Sequence, residues 1–119
     1  MSVFYEAKIG YGYPVYGDDF PDYDCDDDAS MDAYDTWHDQ FCDSEFRHSV
    51  NLYWDCDAYF FGIMVDGVEC GEFKKLSDII STLYTNINEE EFDRCSEEYH
   101  RLFPNSKLEP GFYLMCVVW

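Results

Sequence analysis

The chain has 119 residues, a mass of 14.1 kDa and a formal net charge of -19, from 26 acidic and 7 basic residues. This length fits a single domain over residues 1–119, and 20% aromatic residues are enough for a core in spite of the charge. So negative a protein is a poor direct partner for nucleic acid or anionic membranes, which leaves basic proteins and cations.

Glu6 and Lys8 interrupt the apolar core that a signal peptide would need, and no run approaches the length of a membrane span. We therefore expect a cytoplasmic protein. The six cysteines are widely spaced and form no C-x-x-C pair, which predicts reduced thiols and no disulfide framework.

The first element is a strand. Residues Val3 to Ile9 alternate between two faces with the period of two that is typical of a half-buried strand. The aromatic stretch that follows, YGYPVYG, contains Gly and Pro, so it either extends this strand or forms a structured loop.

The acidic segment, residues 17–45, holds twelve carboxylates and no Lys or Arg. Its first part, Asp18 to Asp28, contains Pro21 and many poor helix formers, which predicts a loop. From about Ser30 to Glu45 the pattern predicts a helix, with an apolar face made of Met31, Tyr34, Trp37 and Phe41.

Two strands are predicted next, Ser49 to Trp54 and Ala58 to Val65. The dipeptide Asp66-Gly67 favours a two-residue hairpin turn, so Val68 to Phe73 is expected to return as an antiparallel strand.

The C-terminal part combines helices with a last strand. A short helix is predicted from Leu76 to Tyr84, and Asn88 offers the N-cap of another. The run after Gly111 is so apolar that we expect an interior strand. Together the elements predict an α+β domain, with a mainly antiparallel sheet of about four to five strands and two to three helices packed on it.

Metal binding and catalysis have weak support. A calcium loop could use five carboxylates of the acidic segment, but Ala29 stands where the loop needs glycine. No catalytic motif is present, so we expect no enzyme activity, no cofactor and no metal. The alternative, a calcium-binding module, would use Asp24, Asp26, Asp28, Asp32 and Asp35.

Carboxylates four residues apart on a helix are separated by about 6 Å along its axis, the same order as neighbouring phosphates on a nucleic-acid strand. Asp35, Asp39 and Asp43 have this spacing. The predicted partner-binding residues are the aspartates of the segment and two aromatic residues at the rim: Asp18, Asp19, Asp22, Tyr23, Asp24, Asp26, Asp27, Asp28, Asp32, Asp35, Trp37, Asp39 and Asp43.

In size, charge and clustered Asp with aromatics, the chain resembles the DNA-mimic inhibitors that phages and mobile elements use against host defences. These include antirestriction proteins, anti-CRISPR proteins and inhibitors of repair glycosylases. The resemblance is one of class, carried by the acidic segment, and it implies a non-enzymatic inhibitor of a CRISPR effector or a restriction or repair enzyme.

Two other interpretations stay open at this point. The acidity could serve only solubility or a halophilic proteome, although such charge would be spread evenly over the surface. Alternatively, the Tyr-rich residues could bind a protein partner without any mimicry of DNA.

Overall fold

A computed structural model describes residues 5–22, 24–50 and 58–118. In these ranges the chain forms one four-stranded antiparallel sheet and three helices, which confirms the α+β prediction. The strands are β1 (Tyr5–Tyr16), β2 (Arg47–Ser49), β3 (Ala58–Glu69) and β4 (Gly111–Val118), and the helices are α1 (Asp28–Asp43), α2 (Leu76–Thr82) and α3 (Glu89–Leu102).

The strands lie in the order β2-β3-β1-β4. The aromatic stretch YGYPVYG extends β1, which pairs with β3 from Glu6 to Tyr16. A register shift next to Ile9 and Gly10 leaves Val65 as an extra residue in β3. The carbonyl of Val65 accepts a hydrogen bond from the side chain of Asn86 at 3.1 Å, so the segment before α3 is tied to this bulge.

The predicted hairpin at Asp66-Gly67 is wrong, because β3 runs straight through both residues to Glu69. β1 is long enough to provide partners across this site, with Ile9 opposite Asp66 and Lys8 opposite Gly67. Pairing with a long neighbouring strand has therefore overridden a local turn preference.

The prediction of an interior last strand is also wrong. β4 pairs with β1 on one side only, and among the described residues it forms an edge of the sheet. Of the predicted strand Ser49–Trp54, only Ser49 lies in the short strand β2 and Val50 lies outside it, whereas residues 51–54 are outside the described part of the chain.

One half of the sheet carries a dense aromatic core. We call this the proximal half: β1 from Tyr11, β2, β3 up to Ile63, α1 and α3. Tyr13 and Tyr99 stack with ring centroids 3.8 Å apart and planes inclined by 3°. The buried core contains Tyr13, Val15, Phe41, Phe46, Phe61, Cys95, Tyr99, Leu102 and Phe103.

The distal half consists of β1 up to Gly10, β3 from Met64, β4 from Tyr113, and α2 with its flanking loops. A strand of 12 residues spans about 40 Å, whereas α1 with 16 residues is only about 24 Å long, so α1 and α3 cannot cover the whole sheet. The seven residues of α2 give little additional cover. Large apolar side chains are therefore exposed here, namely Tyr5, Phe73, Leu76, Ile80, Tyr84 and Leu114.

The back of the sheet is shaped by glycines. The ring of Phe60 lies against Gly10 and Gly62, where an added Cβ would stand 2.4 and 2.7 Å from the ring. On β2, His48 lies opposite Phe60 and its Nε2 is hydrogen-bonded to the carbonyl of Gly62 at 3.1 Å. This close packing buries Phe60 although it points away from α1 and α3.

None of the helices in the described ranges has both the length and the apolar character that crossing a membrane requires. The described cysteines, at 25, 42, 70, 95 and 116, are all free.

Candidate functional site

Helix α1 starts two residues earlier than predicted because Asp27 serves as its N-cap. The side chain of Asp27 accepts a hydrogen bond from the backbone of Ala29 at 3.1 Å, which satisfies one of the free N–H groups of the first turn. The helix ends at Asp43, with Ser44 as its C-cap.

The orientation of α1 is fixed by its apolar side. Phe41 is fully buried, and Trp37 stacks on it with centroids 5.4 Å apart. The indole Nε1–H of Trp37 donates to the carbonyl of Leu102 at 2.8 Å, which joins α1 to the end of α3. Trp37 therefore holds the two helices together, and its predicted contact with a partner stays a prediction.

On the opposite side of α1, five aspartates form what we call the acidic row. With 100° per residue, they fall within an arc of about 80° and extend about 22 Å along the helix axis. All are exposed, and they are Asp28, Asp32, Asp35, Asp39 and Asp43.

The acidic row has no partner of opposite charge in the described part of the chain. The ion pairs found there within 4 Å involve other carboxylates, namely Glu6, Glu45, Asp66 and Glu98. Arg101 lines a hollow together with Asp39 and Asp43, but its guanidinium donates to Gln40 at 2.8 Å and pairs with Glu98 at 3.7 Å. No charge of the row is thus paired within 4 Å in the described part of the chain.

Helix α3 adds carboxylates that the sequence analysis did not assign to the site. Glu89, Glu90, Asp93 and Glu97 are all exposed. The position of α3 on the sheet depends on tertiary packing, which no local pattern reveals.

Two arginines of α3 hold it next to α1. Arg94 Nη1 donates to Glu45 Oε1 at 3.0 Å, and Arg101 Nη1 donates to Gln40 Oε1 at 2.8 Å. Within 4 Å these arginines pair with Glu45 and Glu98 and not with the acidic row.

The loop before α1 is acidic and is shaped by its own side chains. Asp19 accepts from the backbone of Tyr16 at 2.8 Å, and Asp24 accepts from the backbone of Asp26 at 2.9 Å. The remaining predicted loop carboxylates are exposed, whereas Tyr23 lies outside the described residues. The loop continues the acidic surface from the N-terminus of α1.

The geometry does not gather the five residues of the calcium alternative. Within the described ranges, the ligand atoms of Asp24, Cys25 and Asp26 lie within 4.8 Å of one another. Asp28, Asp32 and Asp35 follow one another along α1, so their carboxylates extend along a helix face and do not converge on one point.

A hollow borders the acidic loop and α1. Aromatic rings and carboxylates lie side by side in its walls: Asp18, Phe20, Asp22, Tyr34, His38 and Tyr59. Aromatic faces and carboxylates both attract the cationic groups of Lys and Arg, so this hollow suits the same kind of partner as the acidic row.

The described groups with shifted pKa values lie elsewhere. Burial raises the pKa of the Cys95 thiol to about 12 and also raises the pKa values of the stacked Tyr13 and Tyr99. Burial lowers the pKa of His48 on β2. These shifts follow from packing in the core and on the back of the sheet, not from a cleft that brings acid and base together.

In comparisons with known proteins, no family model matches this chain, and no curated protein and no solved structure shows significant similarity to it.

Proposed function

We propose that this protein is a non-enzymatic inhibitor that binds the basic DNA-binding surface of a bacterial defence protein and blocks its access to DNA. The target class is a CRISPR effector complex or a restriction enzyme, encountered in the bacterial cytoplasm. One observation carries the proposal: the acidic row is one-sided, exposed and without a described counter-charge.

The spacing of the row supports mimicry of a phosphate backbone. Asp35, Asp39 and Asp43 follow one another at four-residue steps, about 6 Å each along the axis, and Asp28 and Asp32 extend the same side of the helix. A channel lined with Lys and Arg would meet charges at intervals of the order found on a nucleic-acid strand. Electrostatic steering would also make association fast and sensitive to salt.

The row costs folding free energy. Like charges three or four residues apart on a helix destabilise it by about 0.2–0.5 kcal/mol per pair. Asp43 also opposes the helix dipole, a cost of about 0.3–1 kcal/mol at an exposed site. Folding alone would not favour these residues, and binding to a basic surface gives them a role.

The test compares two variants that remove the same amount of charge. The first, D35N/D39N/D43N, neutralises three of the five aspartates of the acidic row. The matched control, E72Q/D78N/E109Q, neutralises three exposed carboxylates on α2 or in loops. Binding to purified Cas9–guide RNA, a type I CRISPR effector complex and a type I restriction endonuclease is measured against salt, with double-stranded DNA as competitor.

We expect the α1 variant to bind its target about tenfold or more weakly and with a smaller dependence on salt, while the control keeps its affinity. Equal affinities of the two variants for every target bound by the wild type, or no binding of the wild type to any of them, would contradict the proposal.

Neutralising the loop carboxylates needs more care. Replacing Asp27 by Ala would remove the N-cap of α1 and lower the folding stability by about 1 kcal/mol. A change in binding could then come from the lost charge or from the destabilised helix. Asn keeps the capping oxygen, so D26N/D27N/D28N is the suitable loop variant.

The hollow with aromatic walls favours a second candidate, an acidic module that binds a basic protein without mimicking DNA. Competition separates the two functions, because DNA displaces a mimic from its target, whereas a module bound at another basic surface stays bound.

A further inference from the structure

We propose that β4 pairs with the β4 strand of a second copy of this chain, which joins two four-stranded sheets into one antiparallel sheet. The edge of β4 that faces away from β1 has no strand beside it in the described part of the molecule. Its backbone N–H and C=O groups are therefore available for pairing.

The chemistry of β4 lacks the features that normally protect an edge strand. From Gly111 to Val118 it contains no charged residue and no proline, and none of the described pairing reveals a bulge. Leu114 is 76% exposed, and Cys116 on the same face is exposed as well. In a chain with a charge of -19, so apolar an edge needs a partner that covers it.

We infer a second copy as the partner because its β4 offers an equally uncharged edge, and its acidic row lies far from that edge. The order β2-β3-β1-β4 puts β4 at the edge opposite β2, and α1 contacts β2. Pairing through β4 would place the two β3 strands five strand spacings apart, about 24 Å. The two β2 strands, which α1 contacts, would lie farther apart still. The screening length at physiological salt is about 8 Å, so the two acidic rows would hardly repel each other.

Symmetry keeps like side chains together. An antiparallel pair of identical strands has a two-fold axis normal to the sheet, so residues on the helix-bearing face pair with residues on that same face. In the central registers Leu114 lies opposite Phe112, Leu114 or Cys116 of the second copy, none of which is charged. Each register places an uncharged side chain beside the exposed leucine.

The pairing of β4 does not depend on the proposed inhibitory function. It has a consequence for that function, however, because the same two-fold axis places both helix layers on one side of the joined sheet. Two acidic rows would then face the same direction.

The experiment measures mass by sedimentation equilibrium over a range of protein concentrations, with the full chain under reducing conditions so that no disulfide contributes. We expect the wild type to approach twice the 14.1 kDa of one chain. Leu114→Lys introduces a charge at an exposed position and is expected to abolish the dimer. The control Leu108→Lys changes another exposed leucine, outside the sheet, and is expected to leave the dimer intact.

A second measurement covers the case in which Leu114→Lys fails to fold. Amide hydrogen exchange of wild-type β4 is expected to slow as protein concentration rises. A wild type that stays at 14.1 kDa, a folded Leu114→Lys protein that remains dimeric, or β4 exchange that is independent of concentration would each overturn the proposal. Loss of target binding by D35N/D39N/D43N with an intact dimer would separate the two proposals.

Discussion

The proximal and distal halves of the sheet are built from the same strands but differ in what covers them. In the proximal half, α1 and α3 bury nine core residues under helices whose outer surfaces are acidic. In the distal half, α2 leaves Phe73, Leu76 and Ile80 exposed, with Lys74 and Lys75 next to them in the sequence. Buried side chains and the acidic helix surfaces are therefore found in the proximal half, whereas large apolar side chains are exposed in the distal half.

The largest expected effect concerns burial. Phe41→Ala in the proximal half removes a fully buried ring and should lower the free energy of unfolding by about 3–5 kcal/mol. Phe73→Ala in the distal half removes a ring that is 98% exposed and should change it by less than about 0.5 kcal/mol. Urea denaturation measures both, and similar losses for the two variants would refute the contrast.

A smaller difference is expected in local opening. Helix α3 buries Cys95, Tyr99 and Leu102, whereas none of the side chains of α2 is buried. Amides of α2 should therefore exchange with solvent at least tenfold faster than the central amides of α3, about 1.4 kcal/mol in opening free energy. Equal protection of the two helices in native-state hydrogen exchange would mean that α2 is held more firmly than its contacts indicate.

The two halves should also respond to acid at different pH values. Burial lowers the pKa of His48, in the proximal half, below its usual 6.5, against the opposing effect of the Gly62 carbonyl. On acidification, His48 is protonated at a higher pH in the unfolded chain than in the folded chain. The stability that depends on neutral His48 is therefore fully present above pH 6.5 and falls as the pH drops below that value.

In the distal half, hydrogen bonds from Lys74 and Gly67 lower the pKa of Asp66 below its usual 3.8. The stabilisation that ionised Asp66 gives the folded state is present above pH 3.8, and it is lost as the pH falls through the lowered pKa. Denaturation at several pH values should show that His48→Gln flattens the first decline and Asp66→Asn the second. A first decline that His48→Gln leaves unchanged would exclude this role of His48.

The parts of the fold that depend on local pattern could be predicted from the sequence. The predicted cap at Asn88 is confirmed, since its side chain accepts from the backbone of Glu91 at 3.1 Å. The apolar face of α1 was also predicted, and it determines that Asp35, Asp39 and Asp43 point outward. Both are properties of residues three or four positions apart, which a helix brings together whatever the rest of the chain does.

The errors concern pairing between distant segments. Asp66-Gly67 has the local chemistry of a turn, but whether the chain turns there depends on the length of β1, more than fifty residues away in sequence. The place of β4 depends on the order of strands in the sheet, and an apolar run looks the same at an edge as in the interior. The exposed acidic residues of α3 were not assigned to the site for a similar reason, since the position of α3 on the sheet depends on tertiary packing.

The ring of Phe60 has a consequence for how this sequence can diverge. It occupies the space that side chains at Gly10 and Gly62 would otherwise fill, and both glycines are neighbours of that ring on the back of the sheet. A methyl group at position 10 must displace the ring, and one at position 62 would also stand 2.4 Å from the backbone oxygen of Tyr11, so a substitution at either glycine is disfavoured even when Ala suits the strand better. In relatives of this chain, a larger residue at position 10 should therefore occur together with a smaller one at position 60, whereas position 62 should remain glycine.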